Sequence, residues 1–264
     1  DRAGRVKFAW QDFRYSDVLL RRPATADSLR SPNSFNLGGT QPAIELNGVG
    51  WGRLYYGVGV AQGAGGLRDD NNDVKDVYYK LRYKFGGLGL DGRYADGDGP
   101  LAGGAGQLLE KSLTVETFGY FGAEPLNDTE DDHYRSFGVN ARALVGRLDI
   151  GVGWVAGSDD DPWGLDSGGM SYTSLLGKAE YLLYPWLIGS LKVDNLDVDI
   201  PDPVLAAGFS GGADRTRIIP GVIALIRPNV RAVAEFELFT RFEAGDLQDL
   251  SRPSGLWLRL DVAF

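Results

Sequence analysis

Ser254-Gly-Leu-Trp-Leu-Arg-Leu-Asp-Val-Ala-Phe264 is the stretch from which the rest of the chain is read. Leu256, Leu258, Leu260, Val262 and Phe264 fall on one parity, and Trp257, Arg259, Asp261 and Ala263 on the other. A period of two over this length makes a β-strand with one apolar face and one mostly polar face. The same statement recurs towards the N-terminus. Val77, Tyr79, Leu81, Tyr83 and Phe85 alternate with Tyr78, Lys80, Arg82 and Lys84, and Gly86-Gly87 supplies hairpin chemistry after them.

Further strands are predicted around Val6–Trp10, Ile44–Leu46, Leu54–Val60, Leu88–Leu90 (with Asp91 and Arg93 opposite) and Leu113–Val115. Others follow around Phe137–Val145, Leu148–Trp154, Leu175–Leu183, Leu187–Val193, Ile218–Ile226 and Val230–Leu238. No segment carries a helical period and no domain boundary is visible, so residues 1–264 read as a single all-β domain. Pattern alone counts thirteen strands. Strand directions traced from the two ends disagree by one. A weak strand through Leu101, Gly103, Ala105 and Gln107 would restore consistency, for about fourteen strands, with twelve or sixteen as alternatives.

Composition removes several classes of function. Net charge is −9, which argues against nucleic acid, because phosphate neutralisation needs a basic surface. Cys is absent, so there is no disulfide, thiolate metal site or c-type haem attachment in these residues. No apolar run reaches the roughly 18 residues of a membrane-crossing helix, a test that does not bear on strands. Residues from Asp1 show no export signal, so an exported protein would be represented here in mature or trimmed form.

Short turns alternate with longer polar loops along most of the chain. Turns are expected at Gly48–Gly52, Gly86-Gly87, Gly146, Tyr184-Pro185-Trp186 and Arg227-Pro228-Asn229. Acidic loops are expected at 69–73, 127–132, 157–168 and from Asp194 onward. This segregation, the terminal aromatic Phe264 and the alternation before it resemble the bacterial outer-membrane β-barrel class. That resemblance implies a transmembrane antiparallel up-and-down barrel with short periplasmic turns and acidic extracellular loops. It implies a Gram-negative outer-membrane location, with contacts to lipid, lipopolysaccharide and the assembly machinery. Leu260, Val262 and Phe264 would form the signal read during assembly. Aromatic residues near strand ends (Trp10, Tyr15, Trp51, Phe85, Tyr184, Trp186, Phe242 and Phe264) fit interfacial girdles.

A narrower likeness is to the barrel part of porin-like proteins fused to, or paired with, c-type cytochromes. It rests on Ile44-Glu-Leu-Asn-Gly48, on residues Tyr78 to Gly92 and on Leu258 to Phe264. The haem-bearing Cys-x-x-Cys-His is missing, so either such a domain lies upstream or the likeness is of barrel type only.

On the barrel reading the apolar parity meets lipid and the charged parity lines the interior. Lys80, Arg82, Lys84, Arg93, Glu116, Arg142, Lys178, Glu180, Arg231, Glu235, Glu237 and Arg259 are the expected lumen residues. A positive side (Lys80, Arg82, Lys84, Arg142, Arg231, Arg259) facing a negative one (Glu116, Glu180, Glu235, Glu237) would make a porin-like channel for small polar solutes or ions. Pairing of the same charges would instead suit a non-enzymatic sheath around a partner such as a cytochrome. No cofactor is expected.

Enzymatic chemistry finds little support. The one histidine, His133, stands near Asp131, Asp132 and Ser136, but it reads as a solvated loop residue rather than part of a triad. Asp159, Asp160 and Asp161 are weak calcium candidates without a recognised loop spacing.

Overall fold

The computed structural model describes residues 43–61, 75–93, 111–125, 131–160, 169–199, 214–227, 229–243 and 255–262. Eleven strands form one sheet: β1 (Ala43–Gly50), β2 (Leu54–Ala61), β3 (Asp76–Gly86), β4 (Lys111–Pro125), β5 (Asp131–Val145), β6 (Leu148–Asp159), β7 (Met170–Tyr184), β8 (Leu187–Asp199), β9 (Asp214–Arg227), β10 (Val230–Glu243) and β11 (Gly255–Val262). Each strand pairs antiparallel with the next, in sequence order from β1 to β11. There is no helix among the described residues. The sheet they form is open, with β1 and β11 at its edges.

Tight turns close the hairpins at one end. Trp51 and Gly52 both take left-handed φ values, 51° and 66°, as a type I′ hairpin turn requires. Residues 146–147, 185–186 and 228–229 make equally short connections at the same end. At the opposite end lie the connections 62–75, 126–130, 160–169, 200–213 and 244–254. The expected segregation of short turns from longer connections therefore holds with one exception. Residues 87–110 join β3 to β4 at the short-turn end.

That exception corrects the strand count. Leu88–Arg93 is not a strand. Gly86, Gly87 and Gly92 adopt left-handed φ, and Gly89 donates to the Arg93 carbonyl while Leu90 donates to the Gly52 carbonyl. These bonds fold the segment against the β1–β2 turn. β3 pairs directly with β4 from Val77↔Phe121 to Gly86↔Ser112, so no strand stands between them and the directions agree without an added one. Among the described residues eleven strands stand where twelve were expected. The candidates at Val6–Trp10 and Leu101–Gln107 lie outside those residues.

The two faces differ as the parity predicts, and burial assigns them. The apolar parity is exposed: Val77, Leu81, Tyr83, Phe85, Leu113, Val115, Phe121, Val139, Val152, Leu175, Leu191 and Val222 all lie on the open face. The charged parity is buried, with Lys80, Glu116, Lys192, Asp194 and Arg217 each below 10% exposure. A water-soluble sandwich would have these reversed. The buried face is the concave one. Alternate strands of a sheet lie roughly 9.5 Å apart, yet on this face hydrogen bonds cross an intervening strand from Tyr78 to Glu45, Tyr134 to Asp76 and Lys192 to Glu235. Such reach requires side chains that lean inward.

Candidate functional site: the concave polar face

Register brings the charges of this face together pair by pair. On β3 and β4, Arg82 stands opposite Glu116, and Arg82 Nε donates to Glu116 Oε2 at 2.5 Å. Lys80 Nζ lies 3.8 Å from the other carboxylate oxygen. Arg142 on β5 grips Asp149 on β6 with Nε and Nη2, at 2.8 and 2.5 Å. On β7, Lys178 meets Glu180 at 3.0 Å.

A second network runs over β8 to β11. Lys192 donates to Glu235 at 2.8 Å. Arg217 bonds Asp194 through Nε and Nη2 and Glu237 through Nη1. Glu237 also accepts from Trp257 Nε1 at 3.0 Å, and Arg231 and Arg259 share Asp261. The expected separation into a positive and a negative wall is therefore absent: neighbouring strands place opposite charges side by side.

Of the expected lumen residues, Lys80, Arg82, Lys84, Glu116, Arg142, Lys178, Glu180, Arg231, Glu235, Glu237 and Arg259 all occupy this parity on their strands. Arg93 does not. It is exposed in the turn after β3, where its amide donates to Asp91 Oδ1, because the glycine-rich segment breaks the strand. Asp149, Lys192, Asp194 and Arg217 complete the networks. Asp194 and Asp197, expected to open a loop, belong to β8, and their arginine partners on β9 and β10 explain why the acidic segment extends as strand.

Towards the longer connections the same face turns aromatic, a feature the alternation did not reveal. Tyr78, Tyr120 and Tyr134 stack across β3, β4 and β5 with ring centroids 6.1 and 6.3 Å apart. Asp76 accepts hydrogen bonds from Tyr120 and Tyr134, and Tyr78 donates to Glu45. Ser136 and Tyr172 share a further buried bond. Aromatic rings on this face lie against strand glycines: an added Cβ at Gly59 or Gly138 would come within 2.2 Å of the Tyr78 or Phe118 ring respectively. The strand glycines facing aromatic neighbours carried this signal in the sequence.

Towards the short turns the face opens into a cavity of about 250 Å³ lined by Arg82, Lys84, Leu90, Thr114, Glu116, Asn140, Arg142 and Leu144.

The remaining candidates disperse. His133 is in β5 rather than a loop, and it points to the opposite face from buried Ser136, so the two do not form a catalytic pair. Asp159 is buried at the end of β6 and Asp160 is exposed beyond it, while Asp161 lies outside the described residues. No group of three metal-ligating side chains occurs among the described residues. Leu260 is exposed on the apolar face of β11, Val262 ends that strand, and Phe264 lies outside the described residues. Trp51, Phe85, Tyr184 and Trp186 are exposed near the short turns, with Tyr184 stacked on Trp186 at 6.0 Å. No family model matches the chain, and no curated protein is similar enough to it to stand as a relative.

Proposed function

We propose that the chain is the wall of a bacterial outer-membrane β-barrel that passes small polar solutes or ions through a narrow, charge-lined interior. One observation carries the reading: the exposed face of the sheet is the apolar one and the buried face holds the charges. Dimensions support it. From Leu113 to Phe121 on β4 the exposed face spans eight residue steps, about 27 Å at roughly 3.4 Å each. At a tilt near 40° this projects to about 21 Å, close to the apolar band of roughly 25 Å in such barrels. Aromatic residues at the short-turn rim suit an interfacial girdle.

On this reading Lys80, Arg82, Lys84, Glu116, Arg142, Lys178, Glu180, Arg231, Glu235, Glu237 and Arg259 face the interior. Both edge strands keep the two-faced pattern, with Ile44 and Leu46 exposed on β1 and Leu256, Leu258 and Leu260 on β11. A further strand of the same wall would meet them there. Because the charges are paired with one another, permeation is restricted to small solutes rather than driven by a strong transverse field.

Conductance of the folded protein in a planar bilayer is the test. Small, resolved current steps are expected, and a folded, inserted protein silent at every salt concentration would remove the channel. The paired, mostly buried charges also favour a second reading, a sheath around an inserted partner. Co-purification of a haem protein with a non-conducting barrel is its signature.

A further inference from the structure

Register stacks the concave face into rows, and one of them carries no charge from β4 to β8. Phe118 stands opposite Gly138, Gly138 opposite Val155, Val155 opposite Ser174 and Ser174 opposite Leu196. Phe118, Val155, Ser174 and Leu196 are each 0% exposed. The rows on either side are closed as well. Towards the short turns Glu116, Asn140, Leu176 and Asp194 are buried, and towards the longer connections so are Tyr120, Ser136 and Tyr172. From Glu116 to Tyr120 this zone covers four residue steps of β4, about 14 Å at roughly 3.4 Å each.

Side chains facing an open, water-filled interior would keep an exposed flank. At the short-turn end they do, where Lys84, Thr114 and Arg142 line the cavity and are at least half-exposed. In the closed zone even polar atoms are cut off. Ser174 Oγ and both amide atoms of Asn140 are buried without a hydrogen-bond partner among the described residues, whereas an aqueous interior would hydrate them.

An ion entering the Phe118 row would shed its water and receive a ring, apolar methyls and one hydroxyl in exchange, which is unfavourable. Apolar constrictions stop ions in this way, by excluding water rather than by charge. The neighbouring row offers no substitute, because Glu116 is already held by Arg82 and Asp194 by Arg217. On the channel reading, on which this rests, we propose that the row from Phe118 to Leu196 is the barrier that limits permeation. Phe118 is its largest member, and Gly138 positions it. A Cβ at Gly138 would come within 2.2 Å of the ring, so a residue without a side chain there lets the ring lie against β5.

The chain contains no cysteine, so an introduced thiol reports access at one position. Ser174→Cys and Thr114→Cys, each in the full chain folded in detergent micelles, are treated with a charged methanethiosulfonate. Thr114→Cys is expected to react readily and Ser174→Cys about 100-fold more slowly, since the reagent must wait for the zone to open. Adding Phe118→Ala should remove most of that difference and, in a planar bilayer, raise the single-channel current at least about threefold. Leu196→Ala, a smaller truncation in the same row, should act in the same direction and serves where Phe118→Ala does not fold. Leu175→Ala, on the exposed face of β7, should change neither readout. A Ser174→Cys thiol as reactive as Thr114→Cys in the otherwise unaltered protein overturns the barrier, and so do unaltered currents in both row variants. A silent wild-type protein whose Phe118→Ala variant conducts keeps the barrier and removes the open channel. A conducting wild type with a readily modified Ser174→Cys does the reverse.

Discussion

Leu81→Arg is the substitution on which the two environments of the exposed face disagree most. Leu81 is the sixth of eleven residues in β3, it is 42% exposed, and its cross-strand partners are Tyr56 and Thr117. If that face met water, an exposed Leu→Arg change would fall within about 0.5 kcal/mol of wild type. At the midplane of a bilayer the same change costs about 2–4 kcal/mol. This corresponds to roughly a 30- to 700-fold loss in the folding equilibrium at about 1.4 kcal/mol per tenfold.

The assay is reversible urea unfolding from phospholipid vesicles, followed by tryptophan fluorescence. Two companions locate the effect. Trp51→Arg, at the hairpin rim, should cost no more than about 1 kcal/mol, because charge is tolerated near the interface. Arg82→Leu removes a close partner of Glu116 and leaves Lys80 at 3.8 Å, which should cost about 1.5–3 kcal/mol. That cost should shrink when Glu116→Gln is added, as coupled neighbours do, whereas the Leu81→Arg cost should not. A Leu81→Arg protein as stable as wild type in the bilayer would refute the assignment of the exposed face to lipid.

The buried networks and the aromatic zone make separate predictions. Gly138→Ala places a methyl 2.2 Å from the ring of fully buried Phe118 and should cost about 1–3 kcal/mol by overpacking, whereas Gly177→Ala, whose added Cβ meets only the Val193 carbonyl at 4.0 Å, should be tolerated. Unfolding midpoints of the two variants compare these directly. Arg217→Met removes the cation shared by Asp194 and Glu237 and should destabilise by about 3–5 kcal/mol, most of it regained when both carboxylates are also replaced by apolar residues. In a planar bilayer, Arg142→Gln takes the guanidinium from Asp149 and should shift the reversal potential towards cation selectivity, even at high salt where exposed loop charges are screened.

Strand periodicity was legible because a side chain's face follows from its parity alone. The assignments of Val77–Phe85, Phe137–Val145 and Val230–Leu238 needed no knowledge of their neighbours, and the observed strands cover them. The failure at Leu88–Arg93 has the opposite cause. Its apolar alternation looked like a strand, but the hydrogen bond from Leu90 to the Gly52 carbonyl pulls it onto a turn 38 residues earlier. Left-handed glycines allow that path. Likewise the β4 strand was read only as far as Val115–Glu116, because Phe118-Gly-Tyr-Phe121 is apolar on both parities and alternation is lost there.

What the amino-acid order determined by itself is therefore the two-faced strand and its hairpin turns, since both arise from neighbours along the chain. The tertiary structure alone decided which charges meet and where the polar face is hollow. Glu116 finds Arg82 at a separation of 34 residues, and Lys192 finds Glu235 at 43, through strand register. The same register sets Thr114 between Lys84 and Arg142 in the wall of the cavity. The side chains that border the hollow, from Arg82 on β3 to Leu144 on β5, come together only when the rows of adjacent strands are laid side by side.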